Sequence, residues 1–165
     1  RNLDVVNHLK NAKIHYLIPE LIFPSAVEFT NDISSAIQSS EIIVLALPSQ
    51  SIRDVITKNK SSFNKNHIIV NVSKGIEIDT LMTVSEVIND VLDGQHKSVV
   101  TLSGPSHAEE VISGHPTTLV AASNDVQSAE IIQNLFATEK LRTYLNRDIR
   151  GVELGGSMKL SLIHI

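Results

Sequence analysis

The segment Ser103-Gly104-Pro105-Ser106-His107-Ala108-Glu109-Glu110 follows directly on the apolar run Val99-Val100-Thr101-Leu102 and combines the residue types of a ligand cradle. A buried strand stops at a residue with no side chain, proline presets φ for a first helical turn, and serine offers a hydroxyl. The first N–H groups of such a helix have no partner inside it and can face an anion or a strong dipole. Glu109 and Glu110 fall where the helix dipole favours negative side chains. Taken alone, the same residues equally describe an ordinary strand-to-helix turn capped by serine. Two other apolar runs end in similar fashion, at Pro48-Ser49-Gln50-Ser51 and at Ser73-Lys74-Gly75. Ligands of open α/β sheets lie beyond the carboxyl ends of the strands, so three such ends with a single lysine describe an edge for a polar ligand. Glycine and serine also populate loops for purely local reasons.

These residues must be positioned by elements that alternate along the chain. Strands are expected at residues 42–47, 68–72, 99–102 and 118–122, all nearly continuous apolar runs, the pattern of strands covered on both faces. A further strand is expected at 141–145. Amphipathic patterns predict helices over 32–38, 51–58, 83–92, 108–112 and 126–136, with Asn31 capping the first and Asn124-Asp125 the last. Such alternation is the signature of an α/β domain with a mainly parallel sheet. From Asp148 the chain turns helical and carries Gly151, Gly155 and Gly156, which let another backbone approach closely. A second domain is expected to start there.

Composition narrows the classes of function. The chain has 165 residues and a net charge of −4, with 42% hydrophobic and 19% charged residues, and this fits one globular domain and a stub of another. No basic excess or basic cluster supports binding to a phosphate backbone, so nucleic acid is not an expected partner. Cysteine is absent, which excludes disulfides and thiolate metal sites and fits a reducing compartment. No apolar run reaches the roughly 18 residues of a membrane span. The histidines show no metal-ligand spacing, and no metal is expected. The chain starts at Arg1 without methionine or a signal pattern and is expected to begin within a longer protein.

Five motifs in order, Ala46-Leu47-Pro48-Ser49-Gln50-Ser51-Ile52-Arg53, Ser73-Lys74-Gly75-Ile76, the segment from Ser103 to Val111, Gly114-His115-Pro116-Thr117 and Gly151-Val152-Glu153-Leu154-Gly155-Gly156-Ser157-Met158-Lys159, resemble the bacterial NAD(P)-dependent glycerol-3-phosphate dehydrogenases. The resemblance covers Tyr16 to Lys159. It implies an α/β, partial Rossmann-like, doubly wound sheet over residues 1–147, then the first helix of an all-helical substrate domain over 148–159. It implies interconversion of sn-glycerol 3-phosphate and dihydroxyacetone phosphate with NAD or NADP, supplying glycerophospholipid synthesis. Lys159 matches the family's catalytic lysine, the general acid/base at the C2 oxygen. Lys74 matches a lysine contacting substrate and cofactor, Gly104 and Ser106 match substrate-binding positions, and Ala108 a cofactor-binding one. Tyr16 and Ser51 fall at positions near the cofactor. The partner implied is a phosphorylated triose, and a homodimer of the full-length protein is left open.

The implied chemistry is consistent with these residues. A secondary alcohol releases hydride only as its proton leaves, so a base must reach that oxygen. Lysine serves when burial or a second cation lowers its pKa, and Lys74 beside Lys159 would supply that cation and attract a phosphate dianion. Several features depart from the pattern. Tyr16-Leu17-Ile18-Pro19-Glu20 replaces the family's usual Tyr-Leu-Pro-Gly, and His107 stands where phenylalanine is common. Residues 160–165 read as a non-native tail, encoded in frame by the end of a sequencing adapter. No Gly-x-Gly-x-x-Gly occurs, so the isolated chain is expected to show no turnover. The alternatives are a related dehydrogenase of a β-hydroxy acid or sugar nucleotide, and a non-catalytic dinucleotide-binding module.

Overall fold

The computed structural model describes residues 3–15 and 17–163, with side chains through Met158. Among them, five strands form one sheet in sequence order: β1 (Ile42–Leu45), β2 (Ile68–Asn71), β3 (Ser98–Ser103), β4 (Thr117–Ala122) and β5 (Leu141–Asn146). Neighbours pair in parallel except β3 and β4. The result is a mainly parallel, Rossmann-like α/β architecture. Parallel neighbours need a crossover, and α3 (Ile52–Lys58), α4 (Val84–Leu92) and α6 (Val126–Phe136) supply them. The antiparallel step from β3 to β4 carries the short α5 (Ala108–Ile112), and α7 (Ile149–Ile163) follows β5.

Around the central strands β2 and β3 both faces of the sheet are covered, which is why these two are buried almost throughout. On one face Val70 of β2, Val100 and Leu102 of β3 and Leu119 and Ala121 of β4 cluster with Ile132 of α6. Thr101 points the opposite way by strand alternation and meets α7. The helices α4 and α7 pack against β3 on that face.

Local chemistry fixes the element ends. Before α4, the Thr83 N–H donates to Glu86 Oε2 at 2.8 Å, one half of a capping box. Arg53 of α3 grips both oxygens of Glu77 at 2.9–3.1 Å and reaches Asp90 of α4 at 2.5 Å. The guanidinium, with the Thr80 hydroxyl, holds the Glu77 carboxyl below the usual carboxylate range. Strand β1 ends at Leu45 rather than at the expected residue 47, because the Leu47 N–H turns to the Ser73 hydroxyl at 3.2 Å.

Residues 1–39 form a unit of their own. It contains α1 (Leu3–Ala12), a helix with no buried residue, and α2 (Ile33–Gln38). No element is expected from the sequence before residue 32, so α1 is an addition. The α2 cap is expected at Asn31, whereas Asp32 is the cap residue and accepts the Ser35 N–H at 3.1 Å. The register of the helix places residue 35, three past Asp32, where its N–H needs a partner.

Candidate functional site

Because β1, β2 and β3 run parallel, their carboxyl ends share one edge, and the loops after them pack together. Ser73 bridges β1 and β2: its hydroxyl donates to Leu45 O at 3.2 Å and accepts the Leu47 N–H. Gln50 pairs with the next loop through its whole amide, donating to Ile76 O at 2.7 Å and accepting the Ile78 N–H at 3.1 Å. Between them Gly75 adopts φ 135°, and a β-carbon there would lie 2.4 Å from Ser49 Oγ. Only glycine fits that close approach.

Lys74 extends from this turn toward the loop after β3 and donates from Nζ to Gly104 O at 3.2 Å. Gly104 itself lies against β4, where a β-carbon would sit 2.3 Å from Thr118 O. That oxygen is backbone in a paired strand and cannot move aside. Gly104→Ala is therefore expected to lower stability by about 1–3 kcal/mol, read as a lower urea midpoint for unfolding of the chain.

The fourth wall comes from α7. Its anchor is Glu153, 5% exposed, whose carboxylate accepts Asn71 Nδ2 at 3.0 Å, the Ser85 N–H at 2.9 Å, the Ser85 hydroxyl at 2.6 Å and the Thr101 hydroxyl at 2.9 Å. These four donors come from β2, β3 and the first turn of α4. Asn71 continues the network through its Oδ1, which accepts the Ser73 N–H at 2.9 Å. One turn further along α7, a β-carbon at Gly156 would sit 3.0 Å from Ser103 Oγ and 3.7 Å from Lys74 Cγ. The resulting cleft of about 300 Å³ is lined by Lys74, Ser103, Gly104 and Pro105 on one side and Gly151, Val152, Gly155 and Gly156 on the other. A β-carbon at Gly155 would meet nothing within 4 Å, so this glycine leaves the helix wall open. An opening of that size, with a cation and backbone groups at its rim, has room for a small anionic ligand.

A family model described as NAD-dependent glycerol-3-phosphate dehydrogenase N-terminus matches residues 1–129. The chain belongs to this family. It is 44% identical over 162 residues to a Listeria monocytogenes glycerol-3-phosphate dehydrogenase, NAD(P)+, covering 96% of this chain and 48% of the relative. It is 47% identical over 156 residues to a Thermoanaerobacter protein of the same name, covering 94% and 45%. A crystal structure of glycerol-3-phosphate dehydrogenase from Coxiella burnetii superimposes with a TM-score of 0.85 at 28% identity, covering 93% of this chain and 46% of that one. The chain thus spans about half the length of the curated glycerol-3-phosphate dehydrogenases it matches.

The residues matched to the dehydrogenase pattern are only partly brought together. Lys74 and Gly104 meet at the cleft. Ser106 and Ala108 border an adjoining groove of about 390 Å³, shared with Lys74 and Ser103 and otherwise walled by apolar side chains such as Leu102, Leu119 and Phe136. Ser51 closes a 3-10 turn with its N–H on Pro48 O at 2.8 Å and borders neither opening. Tyr16 lies outside the described residues. Lys159 is placed by its backbone on α7, three residues past Gly156, and its side chain lies outside the description.

One expectation from the glycine–proline corner needs correction. Serine 106 does not cap a helix: α5 begins only at Ala108, the cap position is His107 with no side-chain cap bond, and the Ser106 N–H turns back to Gly104 O at 2.9 Å. That tight turn uses up Pro105 and Ser106 before the helix starts. With five residues, α5 carries too short a dipole to hold an anion by itself. The sequence reading also gave no role to Glu153, Asn71 or Ser157. A polar Asn71 within the apolar run 68–72 was the available signal, since buried polar groups are hydrogen-bonded. Among the described residues, no three His, Asp or Glu side chains gather as metal ligands, and no helix is long and apolar enough to cross a membrane.

Proposed function

We propose that the chain is the greater part of the cofactor-binding half of an enzyme that interconverts sn-glycerol 3-phosphate and dihydroxyacetone phosphate with NAD or NADP. The observation that carries this reading is the meeting of Lys74, Gly104 and the glycine face of α7 at one cleft. The residues fit the cofactor in part: Lys74 and Ala108 border adjoining openings at the sheet edge, with Ser51 and Tyr16 assigned to it by the family pattern. When bound, the nicotinamide ring supplies or accepts the hydride at C2.

The protein's own groups do the rest. Lys74 attracts the phosphorylated substrate as a point charge. Gly104, packed against β4, offers its carbonyl to the Lys74 ammonium and so places that cation at the end of β3. Lys159 holds or removes the proton on the C2 oxygen, and α7 opens a helical domain that closes the site from water. Residues 160–165 are assigned to a non-native tail, and the enzyme to the cytoplasm and to the supply of glycerol 3-phosphate for lipid synthesis.

The test uses a full-length enzyme carrying this segment, made by exchanging the matched segment of the Listeria monocytogenes relative for this chain. Oxidation of NADH and NADPH is followed with dihydroxyacetone phosphate, a β-keto acid and a nucleotide sugar. Turnover confined to dihydroxyacetone phosphate is expected. Turnover with either of the others, and none with the triose, overturns the reading.

A further inference from the structure

We infer that Ser157 is a positioning residue that fixes the Lys74-Gly75 turn from α7 and so sets where the Lys74 ammonium meets an anionic ligand. The inference rests on the function proposed above. The Ser157 hydroxyl accepts the Gly75 N–H at 3.1 Å and donates to Glu153 O, one turn back on its own helix, at 2.9 Å. A hydroxyl has one proton to give. Here it is spent on the helix, which aims a lone pair at the turn. The contact links residues 82 positions apart in the chain.

Ser49 packs so close to Gly75 that a β-carbon there would meet its side chain, so the turn has both a loop and a helix as near neighbours. Lys74 immediately precedes it, and the neighbour of Ser157, Gly156, faces the Lys74 stem at Cγ. Both the backbone and the stem of Lys74 are therefore referenced to α7, the helix on which Lys159 lies. A shift of the turn would move the ammonium relative to the substrate phosphate without touching the proton-transfer group.

Ser157→Ala and Ser157→Thr in the full-length enzyme carrying this segment test this. Alanine removes the acceptor, whereas threonine keeps a hydroxyl able to make the same bond one turn back. In the alanine variant KM for dihydroxyacetone phosphate is expected to rise about tenfold with kcat within about threefold, as for lost ground-state binding. Amide exchange at Gly75 should quicken by about tenfold, and threonine should restore both to within about twofold. Unchanged KM, whether or not exchange at Gly75 quickens, overturns the inference. So does an equal fall in kcat and stability that threonine does not restore, since that marks a merely structural role. Failure of the underlying function shows differently: the unsubstituted enzyme itself leaves dihydroxyacetone phosphate unreduced, which overturns both.

Discussion

Lys159→Ala in a full-length enzyme carrying this segment is expected to lower kcat about a hundred- to ten-thousandfold, the usual worth of a general acid/base. Hydride cannot leave C2 of the alcohol while its proton stays, because the product would be a protonated carbonyl. The base must therefore act at that oxygen in the transition state, and its loss falls on kcat rather than on KM. Lys159→Arg discriminates charge from proton transfer. Guanidinium keeps the cation but does not deprotonate in a protein, so this variant should be nearly as slow as alanine. Binding of NADH, followed by its fluorescence, should stay within about twofold in both, as the proton is handled after the cofactor binds. An alanine variant that keeps more than about a tenth of the parental kcat would remove Lys159 from the chemistry.

The largest effect on stability is expected at Glu153. Glu153→Ala would leave the Asn71 amide, the Ser85 N–H and hydroxyl and the Thr101 hydroxyl facing a void in a region where Asn71 is 0% and Thr101 1% exposed. Stranded donors of this kind cost about 1–3 kcal/mol each, with relaxation recovering part of the sum. A loss of about 3–5 kcal/mol is expected, comparable to breaking a buried ion pair from one side. That is a large share of a total of about 5–15 kcal/mol. Glu153→Gln keeps the shape but places an NH2 group among donors, so it should cost about 1–3 kcal/mol. Urea unfolding of both variants checks the order, alanine below glutamine below parent. A glutamine variant as stable as the parent would mean that the carboxylate is not held by its donors.

Much of this arrangement can be read from the sequence, because its elements are set locally. The run at 68–72 announces a buried strand by its β-branched residues and that at 118–122 by apolar content, and the helix over residues 83–92 carries its own start signal in Thr83 and Glu86. The three loop motifs after the strands follow from those placements, since parallel strands send their carboxyl ends to one edge. What periodicity does not encode is which distant groups share a hydrogen bond. Glu153 lies 82 residues from Asn71, and no local pattern pairs them. The same holds for Ser157 and Gly75. The antiparallel step from β3 to β4 did leave a signal, since the expected helix over 108–112 is too short to serve as a crossover. Helix α1 was legible too: Leu3, Val5, Val6 and Leu9 recur at helical spacing, although none of them is buried.

Two lysines far apart in the chain, Lys74 and Lys159, are proposed to address one phosphorylated triose at the glycine–proline corner. A crystal structure of the full-length enzyme carrying this segment, with NADH and glycerol 3-phosphate bound, tests it most directly. The account predicts the Lys159 ammonium within hydrogen-bond distance of the C2 oxygen, with the Lys74 ammonium on the same ligand beside Gly104. A ligand bound away from Gly104, or either ammonium turned away from it, would contradict the account.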